Sequence, residues 1–336
     1  MRHVYSVGVA DHLPSMIETT SRKHRSHLHR NALDKQVRIT DGDVRDIFEP
    51  LARYSQLTTR QLVAFGERHP VITKARLGEL WHTTAGDKSH WLRRLNEEIV
   101  FANHLIVEDM HALGDEAAAL LQARGIIPAE PWVEATRVGG HSRAPSRVIR
   151  LAHDHMACDI LIDIEIGARK ANAPFRSHID ILNAAPEETR AQPKPLQIPV
   201  TLGTHKTFVE PDALFAIGDR VLAIEADRGT ESIARVIVPK ILAYREIVSA
   251  GVIDDWLGVD NLTVLFATDS EARMRYIMKE LAKIARNNRS VMFGFRAERE
   301  FRDFLRAAPP SGRLFETPWK RVGYEDLILA TLAIGN

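Results

Sequence analysis

Cysteine is almost absent from this 336-residue chain, which contains only Cys158. No intramolecular disulfide and no zinc site built from several cysteines can form, so stability must come from packing, as in proteins made in a reducing compartment. Long apolar runs are also absent: no stretch approaches the roughly 18 apolar residues of a membrane span, and the N-terminal residues show no signal-peptide pattern. We therefore expect a cytoplasmic protein that makes no membrane contact.

Net charge is nearly absent as well, because 45 Lys and Arg face 44 Asp and Glu. This balance excludes a uniformly basic protein that binds nucleic acid through its overall charge. Charge is nevertheless segregated along the chain. Residues 20–38 carry six basic and one acidic residue, and residues 271–306 carry ten basic and five acidic residues. We interpret residues 1–40 as a basic, partly disordered arm that could contact phosphates if a DNA-binding module follows.

A helical block follows at 41–125. The apolar spacing predicts helices over 43–54, 57–65, 74–82, 88–95 and 114–124, and two short β-rich pieces at 98–102 and 104–107. This order of short helices, a small hairpin and a helix is typical of a winged helix-turn-helix. We expect Lys88–Leu95 to be the recognition helix, with Lys88, His90, Arg93 and Arg94 facing DNA. The alternative is a helical subdomain whose basic residues are only solvated.

The second half of the chain has a mixed α/β pattern. Pro, Gly and Ser are concentrated in 126–146, which predicts a linker. For 147–336 the pattern predicts a helix over 147–171, a short strand at 178–182 and strands at 207–217 and 220–227. Alternating helices and strands are predicted from there to the end. At about 150 residues per domain the length fits two domains. The expected fold is α+β: a winged helix-turn-helix followed by a mixed-sheet domain.

A hairpin in this second domain concentrates acidic residues. Gly218-Asp219 is a two-residue turn signal with glycine first, as a type II′ turn requires. Counting outward from this turn, Ile217 pairs with Arg220. On the acidic face, Asp212 is then expected to meet Glu225, and Glu210 to meet Asp227.

Carboxylates placed directly opposite each other repel and destabilise a sheet unless something compensates their charge. Mg²⁺ is a natural compensator, because it takes oxygen ligands and needs only one or two protein carboxylates. Asp212, Glu225 and Glu210 are the candidate metal ligands, and Mn²⁺ could replace Mg²⁺. The alternatives are a solvated sheet end or a register shifted by one residue.

The segment Pro211-Asp212 followed by Glu225-Ala-Asp227 resembles the PD-(D/E)xK nuclease superfamily. The resemblance implies that the Asp and the Glu hold Mg²⁺ and that a Lys two residues after the Glu helps to activate water. Here that third position is Asp227. Lys240, on the following helix, could supply the missing charge. The candidate catalytic residues are therefore Asp212, Glu225, Asp227 and Lys240.

A wider pattern resembles the replication-relaxation family of plasmid and mobile-element proteins. The matching segments are Leu57-Thr-Thr-Arg-Gln-Leu62, Trp91-Leu-Arg-Arg-Leu95, Leu151-Ala-His-Asp-His155 with Asp159, Glu210-Pro-Asp212, Glu225-Ala-Asp-Arg-Gly-Thr-Glu231 and Lys240-Ile-Leu-Ala-Tyr244. The resemblance implies a DNA-binding protein of plasmid or mobile-element replication or relaxation.

Mg-dependent phosphodiester hydrolysis is the activity expected from the nuclease-like hairpin. The alternative is a catalytically inactive, nuclease-like regulator of replication or transcription. Double-stranded DNA is the expected partner, with Arg228 as a further DNA contact. A second copy of the chain and other replication proteins of the element are the remaining partners we consider.

Overall fold

The computed structural model describes residues 37–85, 89–94, 109–140, 147–302 and 308–333. Its thirteen described strands are β1 Leu57–Thr58, β2 Thr84–Ala85, β3 Ser89–His90, β4 Leu92–Arg94, β5 Met110–Leu113, β6 Phe175–Ser177, β7 Ile198–Leu202, β8 His205–Val209, β9 Ala213–Ile217, β10 Arg220–Asp227, β11 Thr263–Thr268, β12 Ser290–Ala297 and β13 Lys320–Val322. The described α-helices are α1 Asp41–Asp43, α2 Glu49–Arg53, α3 Thr59–Phe65, α4 Pro70–His82, α5 Asp115–Ala123, α6 Trp132–Ala135, α7 Arg147–Lys170, α8 His178–Ala184, α9 Glu187–Arg190, α10 Val238–Ser249, α11 Val252–Leu257, α12 Glu271–Ile284 and α13 Arg313–Glu316. Two π-helical segments, Val44–Phe48 and Ile233–Ile237, and three 3₁₀ segments, Arg286–Asn288, Arg299–Arg302 and Leu329–Ala333, complete the described elements.

The fold is therefore mixed α/β, of the α+β kind, as the sequence predicts. None of the helices in the described ranges is both long and apolar enough to cross a bilayer.

The N-terminal helices form where the sequence supplies both caps and an apolar face. Four apolar residues within the predicted helix 43–54 are buried: Val44, Ile47, Phe48 and Leu51. Thr58 caps α3 through a capping box with Gln61, and proline stands in the first turn of α4. Next to these helices, β1, β5 and β4 form a three-stranded antiparallel sheet in that order.

The predicted recognition helix over 88–95 is wrong for the residues that the structure describes. Leu92–Arg94 is a strand that pairs with Met110–Leu113, and Ser89–His90 pairs with β2. A helix of eight residues is marginal without tertiary support, because isolated helices need about 12–15 residues. Here the sheet ladder and the stacking of Trp91 on Phe48, with ring centroids 5.9 Å apart, stabilise the extended form instead. Lys88 and the predicted strands at 98–102 and 104–107 lie outside the described residues.

Residues 126–140 of the predicted linker contain α6 and pack against the N-terminal helices. Trp132, Val133 and Val138 are buried there, and Val138 forms a bridge to Tyr54.

A buried ion cluster stabilises the N-terminal helices. Asp43 is fully buried and accepts hydrogen bonds from Arg68 and Arg76, each with a shortest distance of 2.7 Å. Although burial raises the pKa of Asp43, the hydrogen bonds from Arg76, Thr40 and Arg68 lower it from 3.8 to about 2. Because the folded-state pKa lies below the unfolded value, the resulting stability is present above pH 3.8 and is lost as the pH falls through about 2.

We expect Asp43→Asn to reduce the free energy of unfolding by about 2 kcal/mol at pH 7, since the shift of its pKa is worth that much and the neutral amide cannot replace the charge. The difference between parent and variant should shrink as the pH falls from about 4 towards 2. Urea unfolding of both proteins at pH 7, 4 and 3 measures it. A deficit that stays the same at all three pH values would contradict this explanation.

A six-stranded sheet forms the centre of the second half, in the order β13-β12-β11-β10-β9-β6. β10 pairs parallel with β11 and antiparallel with β9, so it lies in the middle of the sheet. Every residue of β9 is buried, as is every residue of β10 except Arg220, and these apolar strands with few polar positions are typical of a central location. The long helix α7 packs against β10.

Two sequence predictions in this region are wrong. The segment predicted as a strand at 178–182 is helix α8, because Ser177 and Asp180 form a capping box that starts a helix. The predicted strand over 207–217 is two strands in different sheets. β8 pairs with β7 and ends at Val209, and β9 begins at Ala213. Pro211 lies between them and has no N–H group to continue a ladder.

Candidate functional site

The candidate site lies where β9 begins and β10 ends. The hairpin register is the predicted one: Ile217 pairs with Arg220, and Ala213 with Ile224. Gly218 has a φ of 55°, which the first position of a type II′ turn requires. The backbone N–H of Asp212 donates to the carbonyl of Ile224 at 3.0 Å, so Asp212 lies beside the end of β10 that bears Glu225.

Two residues of α10 bind the Glu225 carboxylate. Lys240 Nζ lies 2.5 Å from Oε2, and the Tyr244 hydroxyl donates to Oε1 at 2.5 Å. Lys240 and Tyr244 are four residues apart and therefore share one face of the helix. The structure thus brings Lys240, predicted from the sequence as a substitute for the missing motif lysine, into direct contact with the motif glutamate.

The neighbouring charges and the burial of the site shift the pKa values of Glu225, Lys240 and Tyr244. Burial raises the pKa of Glu225 to about 7, an effect that Lys240 opposes and the negative charge of Asp212 reinforces. Although burial lowers the pKa of Lys240, the charges of Glu225 and Asp212 raise it above its ordinary value. Burial and Glu225 likewise raise the pKa of the Tyr244 hydroxyl. Lys240 therefore faces the two carboxylates as an ammonium ion.

Asp212 is held by the backbone of β10 and by a histidine of α7. Its Oδ2 accepts a hydrogen bond from the N–H of Ala226 at 2.8 Å and lies 3.5 Å from His153 Nε2. The same histidine nitrogen lies 2.9 Å from the carbonyl oxygen of Ala226 and donates to it. The charge of Asp212 raises the pKa of His153 to about 9, against the effect of burial.

Asp227 occupies the motif position where a lysine is usual, and it contacts a different set of groups. Arg273 of α12 binds both of its oxygens, one of them at 2.8 Å, and the N–H of Gly229 donates to Oδ1 at 3.0 Å. Arg273 also donates to the carbonyl of Glu231 at 2.7 Å. The structure therefore uses Asp227 to fix the turn after β10 against α12. Its predicted catalytic role stays a prediction.

The β9–β10 ladder ends at Ala213 and Ile224, so the predicted pairing of Glu210 with Asp227 is wrong. Asp212 and Glu225 are not a ladder pair either, although the charge of Asp212 acts on Glu225. Glu210 follows β8, and its Oε2 accepts a hydrogen bond from Gln197 Nε2 at 2.9 Å. Its role as a metal ligand stays a prediction.

The predicted DNA-binding residues lie in several places. Arg93 pairs with Asp115, and Arg94 pairs with Asp109 at 3.2 Å and lies over the ring of Trp81. His90 lies in β3. Arg228 follows β10 and donates to the carbonyl of Ala152 at 3.2 Å.

Sequence reasoning gave no role to Tyr244 and Arg273. A signal for Tyr244 was available, because it lies four residues after Lys240 on one helix. Arg273 lies 46 residues from Asp227 along the chain, and nothing in the spacing connects the two.

A divalent cation at this site would need oxygen ligands from the protein. In the described part of the chain, no group of three or more His, Cys, Asp and Glu side chains is placed to hold a metal ion. The carboxylates of Asp212 and Glu225 remain, and Mg²⁺ needs only one or two from the protein when water and phosphate complete its shell. Among the described residues, Asp212 makes its contacts with Ala226 and His153 through Oδ2, so Oδ1 can accept a ligand. Both oxygens of Glu225 already accept hydrogen bonds, so a Mg²⁺ ion held by the two carboxylates would have to replace Lys240 or Tyr244 at one of them.

The fold and the site together define a mixed α/β protein with two carboxylates and a lysine at the end of its central strands. The chain belongs to the replication-relaxation family, whose model matches residues 48–259. Membership indicates a role in the replication or relaxation of mobile elements. No curated protein and no solved structure matches the chain significantly.

Proposed function

We propose that this protein binds double-stranded DNA of a plasmid or other mobile element and hydrolyses a phosphodiester bond at the site formed by Asp212, Glu225 and Lys240. The contact of 2.5 Å between Lys240 and Glu225 carries the proposal. It supplies the positive charge that the motif lacks at Asp227, from a helix 15 residues further along the chain.

Each side chain has a separate task in this proposal. Asp212 and Glu225 would hold Mg²⁺, and the bound ion would compensate charge on the phosphate. Lys240 is an ammonium donor beside the carboxylates and can bind a phosphate oxygen or orient a water molecule. Tyr244 holds Glu225 in place when Lys240 turns towards the substrate.

The direct test is the conversion of supercoiled plasmid to nicked or linear DNA by the purified chain. Mg²⁺ and Mn²⁺ are compared with EDTA. Metal-dependent cutting is expected, and cutting that survives EDTA or that is lost on further purification would contradict the proposal.

We also propose that α4 contacts the DNA. Within the described ranges, β1 precedes α3 and α4, and the other two strands of the three-stranded sheet, β4 and β5, follow α4, which is the order of a winged helix-turn-helix. Val71, Ile72 and Lys74 are exposed on it, and Val71 is 67% exposed. Apolar side chains can contact thymine methyl groups, and a lysine can contact a phosphate or a guanine edge.

Lys74→Glu is expected to weaken DNA binding about tenfold and to reduce the salt dependence by about one phosphate contact. Fluorescence anisotropy at several salt concentrations measures both quantities. Lys206→Glu, which makes the same charge change on exposed β8, is the matched control and should have a much smaller effect. Equal losses in the two variants would show that only the net charge matters.

The second candidate is a metal-free, nuclease-like DNA-binding regulator. One observation favours it: protein cations already lie beside the hairpin acids, His153 beside Asp212, Lys240 beside Glu225 and Arg273 beside Asp227. This candidate predicts salt-sensitive DNA binding that EDTA leaves unchanged, and no cutting with either metal.

A further inference from the structure

The end of β10 has an edge along which none of the described strands runs. Residues of a strand expose their backbone N–H and C=O groups alternately to the two neighbouring strands. Ile224 uses its carbonyl towards β9, because that carbonyl accepts from the N–H of Asp212 at 3.0 Å. Ala226 lies two residues further and points its backbone groups to the same side, where β9 no longer runs.

Two side chains satisfy these backbone groups in place of a strand. The N–H of Ala226 donates to Asp212 Oδ2 at 2.8 Å, and its carbonyl accepts from His153 Nε2 at 2.9 Å. Buried backbone groups left without partners would cost about 1–3 kcal/mol each. His153 and Asp212 therefore complete the hydrogen bonding of β10 beyond the end of β9.

The position of Ala226 decides where the site carboxylates lie. Its neighbours Glu225 and Asp227 project to the opposite face of the strand, and both are 3% exposed. A shift of the Ala226 peptide would move the Glu225 carboxylate relative to Lys240 and Tyr244. His153 comes from α7, so this helix fixes the strand end from outside the sheet.

We propose that His153 is a positioning residue, which holds the Ala226 peptide and Asp212 Oδ2 so that Asp212 Oδ1 and Glu225 are presented together to a phosphodiester-bound divalent cation. The part of this inference that concerns the ligand rests on the proposed function. The part that concerns the strand end rests on the contacts of His153 alone.

Three variants separate these parts. His153→Ala removes the donor, His153→Gln keeps an N–H donor on a side chain of similar reach, and His155→Gln is the matched control on the same helix, where the histidine pairs with Asp159 at 3.2 Å. Hydrogen exchange of the Ala226 amide is measured in the full chain, by NMR or by mass spectrometry of peptides covering 220–229. Plasmid cutting is measured in parallel.

We expect His153→Ala to accelerate exchange of the Ala226 amide about tenfold, because Asp212 Oδ2, which accepts from that amide, loses its contact with His153 and the Ala226 carbonyl loses its donor. We expect it to lower kcat for cutting about 10–100-fold with little change in KM for DNA, as for residues that orient metal ligands. His153→Gln should restore much of both, and His155→Gln should leave both near the parent values.

Unchanged exchange in His153→Ala, or equal behaviour of the Gln and Ala variants, would overturn the positioning role. If the parent protein itself cuts no DNA, the proposed hydrolysis fails, but the exchange comparison still decides the role of His153.

Discussion

An Asp212→Asn protein is expected to fold and bind DNA like the parent and to cut DNA about 1000-fold more slowly, within the range of about 10²–10⁴ for loss of a group that acts directly in the reaction. The asparagine oxygen can still accept the hydrogen bond that Ala226 donates at 2.8 Å, so the strand end stays in place. The variant lacks the negative charge that would hold Mg²⁺. Single-turnover cutting of a supercoiled plasmid at saturating metal measures the effect.

Lys240→Met tests the lysine separately. A comparable loss of cutting is expected, because nothing else in the described site supplies an ammonium group to Glu225. Removing Lys240 also leaves a buried carboxylate without its cation, so thermal unfolding must be measured with it. Lys279→Met, an exposed lysine on α12, is the control and should cut like the parent. Full activity in both Asp212→Asn and Lys240→Met would exclude this site as the place of chemistry.

A large loss of stability is expected when the contact between the N-terminal helices and α7 is broken. Glu165 on α7 is buried, accepts a hydrogen bond from the Tyr54 hydroxyl at 2.8 Å and pairs with Arg53 at 2.7 Å. Replacing it with alanine leaves a buried hydroxyl and a half-buried guanidinium without their shared partner. We expect Glu165→Ala to reduce the free energy of unfolding by about 3–5 kcal/mol, as for one partner of a buried ion pair.

Urea unfolding at pH 7 measures this loss, and Glu165→Gln is the control. The amide can still accept from Tyr54, so its loss should be clearly smaller than that of the alanine variant. A loss below about 1 kcal/mol in Glu165→Ala would be typical of an exposed pair and would contradict the structural reading.

The hairpin could be predicted from the sequence because its determinants are local. A glycine-first turn sets the register, which holds as far as Ala213 and Ile224, and Asp212 follows directly with its N–H bonded to the Ile224 carbonyl. The prediction for Glu210 failed one step further out, where Pro211 interrupts the ladder. The register predicted from the turn is therefore correct only where the backbone hydrogen bonds between β9 and β10 continue.

The recognition helix could not be placed correctly, because Lys88–Leu95 is too short for its pattern to distinguish helix from strand. Leu92–Arg94 forms a strand because it pairs with Met110–Leu113, about 20 residues away. The contacts at the site are still more distant in sequence: His153 reaches Ala226 across 73 residues, and Arg273 reaches Asp227 across 46. The spacing of residues along the chain contains no information about such pairs.

Some basic residues of the chain form ion pairs within the fold. The basic segment 271–306 contains Arg273, which is used internally to bind Asp227, and Arg296, which pairs with Glu298. Fewer of its charges are therefore available to DNA than the sequence suggests.

The central claim is that Asp212 and Glu225 share a divalent cation. The most direct measurement is a crystal structure of the full chain with Mn²⁺ and a short DNA duplex, in which anomalous scattering locates the metal. We expect an ion about 2.0–2.3 Å from an oxygen of each carboxylate, with Lys240 turned from Glu225 towards a phosphate. Lys240 still bound to Glu225, with no anomalous peak between the two carboxylates at saturating Mn²⁺, would contradict it.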